Sequence, residues 1–210
     1  MELFQENPDY SNLTYEELIE KCKECNACKL AKTRKNVVFG VGPVPCDTML
    51  IGEGPGADED EQGLPFVGRA GQLLTKILQS VNIERDEIYI TNVVKCRPPE
   101  NRTPLADETD SCFPFLKAQI KLISPKIIIL AGSPACKVVL NTNEPISKIR
   151  GKWFKYKDTD ISIMPIFHPS YLLRYPSKEK GSPKWLTWQD MIEIKNAIDC
   201  IKKVKELEKK

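Results

Sequence analysis

The stretch Met49-Leu50-Ile51-Gly52-Glu53-Gly54-Pro55-Gly56 is a short apolar run that passes directly into a glycine-rich loop. Further strand-like runs lie at residues 87–94, 126–131 and 161–167. Segments of helical periodicity separate them, such as the apolar stripe within residues 68–81. Because strands that alternate with helices form parallel sheets, the sequence predicts an α/β fold whose mostly parallel sheet is covered by helices on both faces.

The outer segments predict additional helices. A capping box of Thr14 and Glu17 predicts a first helix that runs to about Leu30. Periodic segments at residues 107–123 and 133–140 predict two more helices, and a last helix is expected to be capped by Thr187 and to run to about Leu207. Neither an internal repeat nor a linker is evident, so we expect a single domain over residues 1–210.

The composition excludes several classes of protein. Of the 210 residues 41% are hydrophobic and 29% charged, which excludes a disordered chain. No apolar run approaches the roughly 18 residues of a membrane helix, so no membrane association is expected. Met1–Tyr10 contains acidic residues and no apolar core, so we expect no secretory signal and a cytoplasmic protein. The high lysine and glutamate content is typical of thermophile proteins.

Charge is segregated along the chain although its formal net value is only +2. Residues 146–185 contain nine basic and three acidic residues, whereas residues 53–62 contain five acidic residues and no basic one. Such segregation predicts a positive face for phosphate groups and a separate acidic pocket, unless both are ordinary solvated surfaces.

The chain has eight cysteines and a single histidine. Since thiols stay reduced in the cytosol, clustered cysteines there indicate a metal site. Cys46, Cys136 and Cys200 are isolated and are interpreted as structural thiols. Five others are candidate ligands: Cys22, Cys25, Cys28, Cys96 and Cys112. Four thiolates suit either tetrahedral zinc or a [4Fe–4S] cluster, and spacing does not distinguish the two.

In a parallel sheet, ligands bind where loops leave the carboxyl ends of the strands. Three loops qualify, at residues 52–63, 92–104 and 168–174. The glycine-rich turn has neither GxGxxG spacing nor the Lys-Ser/Thr of a P-loop, which disfavours nucleotide binding. Asn92 offers an amide that suits the edge of a base, and Phe66 offers an aromatic face. His168 ends an apolar strand at the same edge.

Four motifs together resemble the family 4 uracil-DNA glycosylases, the iron–sulfur enzymes of thermophilic bacteria and archaea. They are Gly52-Glu53-Gly54-Pro55-Gly56, Pro65-Phe66-Val67-Gly68-Arg69-Ala70-Gly71, Tyr89-Ile90-Thr91-Asn92-Val93-Val94-Lys95-Cys96-Arg97-Pro98-Pro99 and His168-Pro169-Ser170-Tyr171-Leu172-Leu173-Arg174. The resemblance extends from about Cys25 to the last helix, with all motifs in order.

The resemblance implies a three-layer αβα fold around a central, mostly parallel four-stranded sheet. It also implies a [4Fe–4S] cluster rather than zinc. In this family the first cysteine pair stands in Cys-x-x-Cys-x-Leu, which assigns the ligands Cys25, Cys28, Cys96 and Cys112. Cys22 is then a spare thiol; the alternative, Cys22 in place of Cys28, loses the match at Leu30.

The implied activity is hydrolysis of the N-glycosidic bond of a flipped-out deoxyuridine, in single- or double-stranded DNA, by a monomer. Flipping needs a wedge, for which Leu172 and Leu173 are candidates, with Arg174 on phosphate. The uracil would lie in a pocket formed by Gly52, Glu53, Gly54, Phe66, Asn92 and His168. Phe66 would stack on the base and Asn92 would read its imide edge.

Three of these residues are candidate catalytic residues. His168 would stabilise negative charge on uracil O2 together with backbone N–H groups near Gly54, and Asn92 would hold the base. This sequence has Gly54 where better-known uracil glycosylases have an aspartate. Glu53 is therefore the first candidate for water activation, followed by Glu59 and Asp60, or by no residue at all.

Three alternatives stay open at this stage. The chain could be a non-catalytic iron–sulfur DNA-binding relative, although Asn92, Phe66 and His168 argue against that. It could be a small electron-transfer protein, but 67 residues separate Cys28 from Cys96. It could also be a glycosylase that prefers other deaminated bases.

Overall fold

The computed structural model describes residues 8–208 and contains one five-stranded sheet. Its strands are β1 (Thr48–Gly52), β2 (Tyr89–Asn92), β3 (Ile127–Ala131), β4 (Phe154–Lys155) and β5 (Ser162–Ile166). In the order β2-β1-β3-β5-β4, the first four strands are parallel and β4 pairs antiparallel with β5. The four parallel strands are those that the sequence predicts; the two-residue β4 adds a short fifth strand.

Helices cover both faces of this sheet. They are α1 (Tyr15–Lys23), α2 (Ala57–Gln62), α3 (Arg69–Gln79), α4 (Ala106–Ile123), α5 (Ser133–Val139), α6 (Ile146–Ile149), α7 (Pro169–Leu173) and α8 (Pro183–Glu208). One apolar core joins the sheet to α4 and α5, and a second core joins its other face to α3 and α8. The predicted three-layer αβα architecture is therefore confirmed.

The central strands explain why the sequence shows continuous apolar runs. Every residue of β1 and β3 is buried. Successive side chains of a strand point to opposite faces, so Met49 and Ile51 pack in the α4–α5 core and Leu50 packs in the α3–α8 core. A strand that is covered on both faces has no solvent side and needs no polar alternation.

The long helix α8 buries only one stripe of its surface. Met191, Ile194 and Ile198 follow the spacing of a single helical face and are buried, whereas Val204 is exposed. Across residues 8–208, no helix combines the length and the apolar character that a bilayer span requires. The apolar face of α8 packs in the α3–α8 core.

Two predicted helix boundaries were wrong. The first helix ends at Lys23 rather than near Leu30, because the chain turns where the N–H of Cys25 donates to the carbonyl of Cys22. The last helix begins at Pro183, four residues before Thr187, whose hydroxyl donates to the Pro183 carbonyl from inside the helix. Two short helices, α2 and α7, also lie in segments that were predicted to be loops.

Candidate active site

A cavity of about 280 Å³ opens at the carboxyl ends of β1 and β2 and reaches the start of α7. Most of the residues that the sequence predicts for the pocket line it together: Glu53, Gly54, Phe66, Asn92 and His168. Its volume is near the lower end of small-molecule pockets, about 300 Å³. The fold thus brings three separate loops to one site that suits a small planar ligand.

Gly52 lies directly against the side chains of Phe66 and Asn92. It is the last residue of β1 and pairs in register with Asn92, the last residue of β2. A Cβ atom at Gly52 would lie 2.5 Å from the Phe66 Cζ and would also overlap the Asn92 Oδ1. Only glycine therefore lets the Phe66 ring and the Asn92 amide occupy these positions.

Asn92 lines the cavity and carries a buried acceptor. The residue is only 2% exposed, and its Oδ1 has no hydrogen-bond partner within the described part of the chain. A buried polar atom without a partner costs about 1–3 kcal/mol, so the unpaired oxygen of a residue that lines a cavity favours a ligand that donates to it.

Phe66 adopts an unusual backbone conformation at the cavity wall. Its φ angle is 54°, in the left-handed region that non-glycine residues rarely adopt. The Arg85 guanidinium donates to the carbonyl of the preceding residue, Pro65, at 2.7 Å and helps to fix the turn. The Phe66 ring centroid lies 5.7 Å from that of the His168 ring. The turn holds an aromatic face beside the imidazole.

His168 is fixed in one tautomer at the N-terminus of α7. Its Nδ1 accepts the backbone N–H of Ser170 at 3.1 Å, and the Ser170 Oγ lies 2.7 Å from the same nitrogen. The ring proton therefore resides on Nε2. Burial, with a smaller contribution from the positive charge of Arg174, lowers the pKa of His168 to about 4. The imidazole is thus a neutral N–H donor at neutral pH.

Gly132 provides the space that His168 needs. Its φ angle is +91°, and a Cβ there would lie 2.9 Å from the His168 Cβ. Sequence reasoning missed this glycine and the Ser170 partner. The only sequence signal for Ser170 is its place two residues after His168, at the start of a helix.

The three candidate carboxylates have different environments. Glu59 accepts the backbone N–H groups of Gly56, Val67 and Gly68, which satisfies its carboxylate. Asp60 accepts two backbone N–H groups, at residues 35 and 36. Both residues brace the loops around the cavity, and Asp60 does not line it.

Glu53 is the carboxylate that suits proton transfer best. It lines the cavity, and burial raises the pKa of its carboxyl, while a hydrogen bond with the Thr103 side chain acts in the opposite direction. A raised pKa makes a carboxylate a better base near neutral pH.

The two leucines of α7 differ in exposure. Leu172 is fully buried, whereas Leu173 is 39% exposed. The Leu172 side chain packs in the interior, so of the two candidate wedge residues Leu173 is the one that is already exposed. Leu173 and the exposed Arg174 stay available at the surface of the same turn.

The five candidate cysteines lie close together. Burial is the main cause that raises the thiol pKa values of Cys22, Cys28, Cys96 and Cys112, the last to about 12, and negative charge on neighbouring cysteines adds to it in each case. Cys25 contributes to that charge at all four positions. The fold thus gathers residues from α1, the following turn, the loop after β2, and α4.

Two hydrogen bonds point at sulfur atoms in this group. Arg34 Nη1 donates to the Cys96 Sγ at 3.3 Å and to the Cys25 carbonyl at 2.7 Å. The backbone N–H of Lys95 donates to the Cys112 Sγ, also at 3.3 Å. Donors of this kind stabilise thiolates that ligate a metal or a cluster. Sequence reasoning did not identify the role of either donor.

The spacing of these side chains is not that of a single-ion site. Within residues 8–208, no three His, Cys, Asp or Glu side chains converge closely enough to hold one metal ion. Thiols without a histidine among them are a donor set that both zinc and iron–sulfur clusters use.

Comparison with known families agrees with this site. The profile of the Uracil DNA glycosylase superfamily matches residues 39–192, which include every residue that lines the cavity. The chain belongs to this superfamily. The resemblance in the four motifs is thereby confirmed at the level of the fold and of the whole segment.

Relatives within the superfamily narrow the assignment to the type-4 enzymes. The chain is 46% identical to a type-4 uracil-DNA glycosylase of Thermotoga maritima over 174 residues, which cover 79% of this chain and 88% of the relative. It is 43% identical to one of Sulfurisphaera tokodaii (77% and 79% covered) and 40% identical to one of Pyrobaculum aerophilum (77% and 86% covered).

Proposed function

We propose that the protein is a monofunctional uracil-DNA glycosylase that hydrolyses the N-glycosidic bond of deoxyuridine in DNA and leaves an abasic site. The unpartnered Oδ1 of Asn92, in a cavity that a neutral His168 also lines, carries this proposal. The similarity to type-4 uracil-DNA glycosylases supports it. The proposal includes action as a monomer, in the cytoplasm with the DNA, on uracil in single or double strands.

Recognition of the base would depend on the amide of Asn92. Uracil has a donor at N3 that suits the free Oδ1, and the Asn92 NH₂ group can donate to uracil O4. Cytosine has an acceptor at N3 and a donor at its exocyclic nitrogen, so it would leave buried polar groups unpaired. Such mismatches can reject the wrong base strongly. Phe66 would stack against the ring.

Departure of the base would depend on His168. When the bond between C1′ and N1 breaks, its electron pair moves to uracil, and negative charge develops on O2. The Nε2–H of the neutral imidazole can donate a hydrogen bond to O2 and so stabilise this charge. Backbone N–H groups near Gly54, at the same end of the cavity, would add to this stabilisation.

A water molecule completes the hydrolysis at the sugar. Its oxygen bonds to C1′, and its proton passes to a base. We assign Glu53 to this role, because Glu59 and Asp60 already accept backbone hydrogen bonds. The negative charge of Glu53 would also stabilise the cation-like sugar.

Access to the base in a duplex requires that the nucleotide flips out of the helix, at a cost of a few kcal/mol. Leu173 would insert into the gap that the nucleotide leaves, since it is the exposed leucine of α7. Arg174 would contact a neighbouring phosphate.

The cofactor that we propose is a [4Fe–4S] cluster held by Cys25, Cys28, Cys96 and Cys112. The proximity of these thiols and the hydrogen bonds to Cys96 and Cys112 support it. When bound, the cluster would brace the cysteine-bearing segments of the chain. Iron and sulfide analysis with the visible absorption spectrum tests this: Cys112→Ser should lose the cluster and Cys22→Ser should retain it.

The test of the function uses purified protein and an oligonucleotide with one uracil. Alkali converts abasic sites into strand breaks, so we expect breaks at the uracil only after enzyme and alkali together. Breaks without alkali would contradict a monofunctional enzyme. An absence of breaks from protein with a full complement of iron would contradict the function itself. A matched panel with other deaminated bases shows whether uracil is preferred.

A further inference from the structure

Lys95 is fully buried between the cysteine group and the cavity, and the proposed reaction does not use it. The residue is only 1% exposed. It forms none of the ion pairs found among residues 8–208. A buried ammonium group without a carboxylate partner is costly, so its retention requires another source of negative charge and of hydrogen-bond acceptors.

On one side, Lys95 contacts the cysteine group. Its backbone N–H donates to the Cys112 Sγ at 3.3 Å, and it directly precedes Cys96 in the chain. Burial lowers the pKa of the Lys95 ammonium group to about 8, and the neighbouring Cys112, Cys22 and Cys96 act in the opposite direction. Thiolates that ligate a cluster would thus supply the negative charge that this buried cation needs.

On the other side, Lys95 contacts the strand that carries the base-reading amide. Its Nζ donates to the Asn92 carbonyl oxygen at 2.6 Å and to the Thr91 Oγ1 at 2.7 Å. Thr91 in turn donates to the Phe39 carbonyl at 2.7 Å. These bonds fix the backbone of Asn92, whose side chain lines the cavity and whose Oδ1 has no partner among residues 8–208.

We propose that Lys95 is a positioning residue that couples the four-cysteine site to the base-reading amide of Asn92. Its backbone N–H is bonded to the Cys112 sulfur, and its side chain is bonded to the Asn92 carbonyl. A shift of the cysteine site would therefore move the backbone of Asn92. This inference rests on the proposed function and gives the cysteine group a role in base recognition besides local bracing.

Lys95→Met tests the coupling, because methionine has a similar apolar stem and lacks the ammonium group. We expect single-turnover uracil release to slow by about tenfold, which is a typical effect of removing a residue that holds a functional side chain in position. Affinity for uracil-containing DNA should change little, since Lys95 is buried. Visible absorption measures how fast a chelator removes iron, and this loss should be faster in Lys95→Met than in the wild type.

A double-mutant cycle with Asn92→Ala separates positioning from general destabilisation. If Lys95 acts through Asn92, Lys95→Met should slow the Asn92→Ala variant much less than it slows the wild type. Gln119→Met is the matched control, because Gln119 is equally buried and donates to the Phe39 carbonyl and the Tyr89 hydroxyl rather than to Asn92 or a cysteine. It should lower stability without changing release or iron retention.

Thr91→Val provides a second variant if Lys95→Met does not fold, since it removes one acceptor of the ammonium group at nearly constant volume. A release rate reduced severalfold, with the reduction lost in Asn92→Ala, would support the coupling. Additive effects in both cycles, or Lys95→Met behaving like Gln119→Met, would overturn it. An inactive wild-type protein would instead overturn the proposed function, so the two failures are distinguishable.

Discussion

The cavity at the ends of β1 and β2 and the contact between α6 and α8 are both polar and buried, yet they differ in how their polar atoms are used. Arg150 follows α6 and pairs with Asp190 of α8 through two hydrogen bonds, one of 2.7 Å, and it also donates to the Leu186 carbonyl. In the cavity, the Asn92 Oδ1 accepts no hydrogen bond from residues 8–208.

Buried polar atoms that are paired within the protein stabilise the fold, whereas an unpaired one in a cavity-lining residue is available to a ligand. The Arg150–Asp190 pair satisfies itself, so removal of one partner should destabilise the protein and spare the chemistry. The Asn92 Oδ1 makes no hydrogen bond among residues 8–208, so removal of this side chain should impair the chemistry and spare the fold.

The largest effect is expected for Asp190→Ala. It would leave the Arg150 guanidinium, whose side chain is 15% exposed, without its carboxylate, at a cost of about 3 kcal/mol in the free energy of unfolding. Urea denaturation measures this, and activity per folded molecule should be unchanged. Lys195→Ala is the control on the same helix, because it breaks a more exposed pair with Asp199 and should cost about 0.5 kcal/mol.

His168→Ala should slow uracil release about a hundredfold, since loss of one donor to a developing anion typically costs that much. Ser170→Ala is the matched control: it removes the hydroxyl but keeps the backbone N–H that fixes Nδ1, so its rate should fall only severalfold. Single-turnover kinetics compares them. Equal rates for His168→Ala and wild type would refute the role of the imidazole.

Asn92→Ala should reduce the rate, or the preference for uracil over cytosine, by about tenfold, the effect of one lost hydrogen bond. Its free energy of unfolding should not decrease, because the lost acceptor has no partner in the described protein. Single-turnover rates on paired substrates and urea denaturation measure both quantities. A large loss of stability would place Asn92 with the structural residues instead.

The smallest effect, taken per pH unit, is the pH dependence of stability due to His168. Its pKa is about 4 in the folded protein and 6.5 ordinarily, so between these values the unfolded chain binds more protons and stability falls as pH is lowered. The slope is at most about 1.4 kcal/mol per pH unit. Because the chain has one histidine, subtracting the His168→Ala profile isolates it; an unchanged slope would contradict the buried neutral imidazole.

The parallel strands could be predicted from the sequence because a strand that is buried on both faces has an unbroken apolar run. The sequence does not predict α2, since that helix depends on polar groups rather than on an apolar stripe. Glu59 accepts the Gly56 N–H, and Gly63 ends the helix with a φ of 71°. The spacing of Gly56, Glu59 and Gly63 was the available signal.

The motifs name five residues that line one cavity, but a motif does not separate neighbours of similar chemistry. Leu172 and Leu173 are adjacent and identical in type, and only the packing of α7 shows which one is buried. Likewise, Glu53 and Glu59 differ by their backbone partners, which depend on the turn at residues 65–68. Long-range contacts of this kind leave no local pattern.

The most direct measurement of the central claim compares uracil with 3-methyluracil as inhibitors of the wild-type enzyme. The methyl group removes the N3–H that the free Asn92 Oδ1 is proposed to accept, and it adds bulk at that position. We predict that uracil inhibits release from DNA and that 3-methyluracil does so at least about tenfold more weakly. Equal inhibition by the two compounds would contradict the assignment of Asn92 as the residue that reads the base.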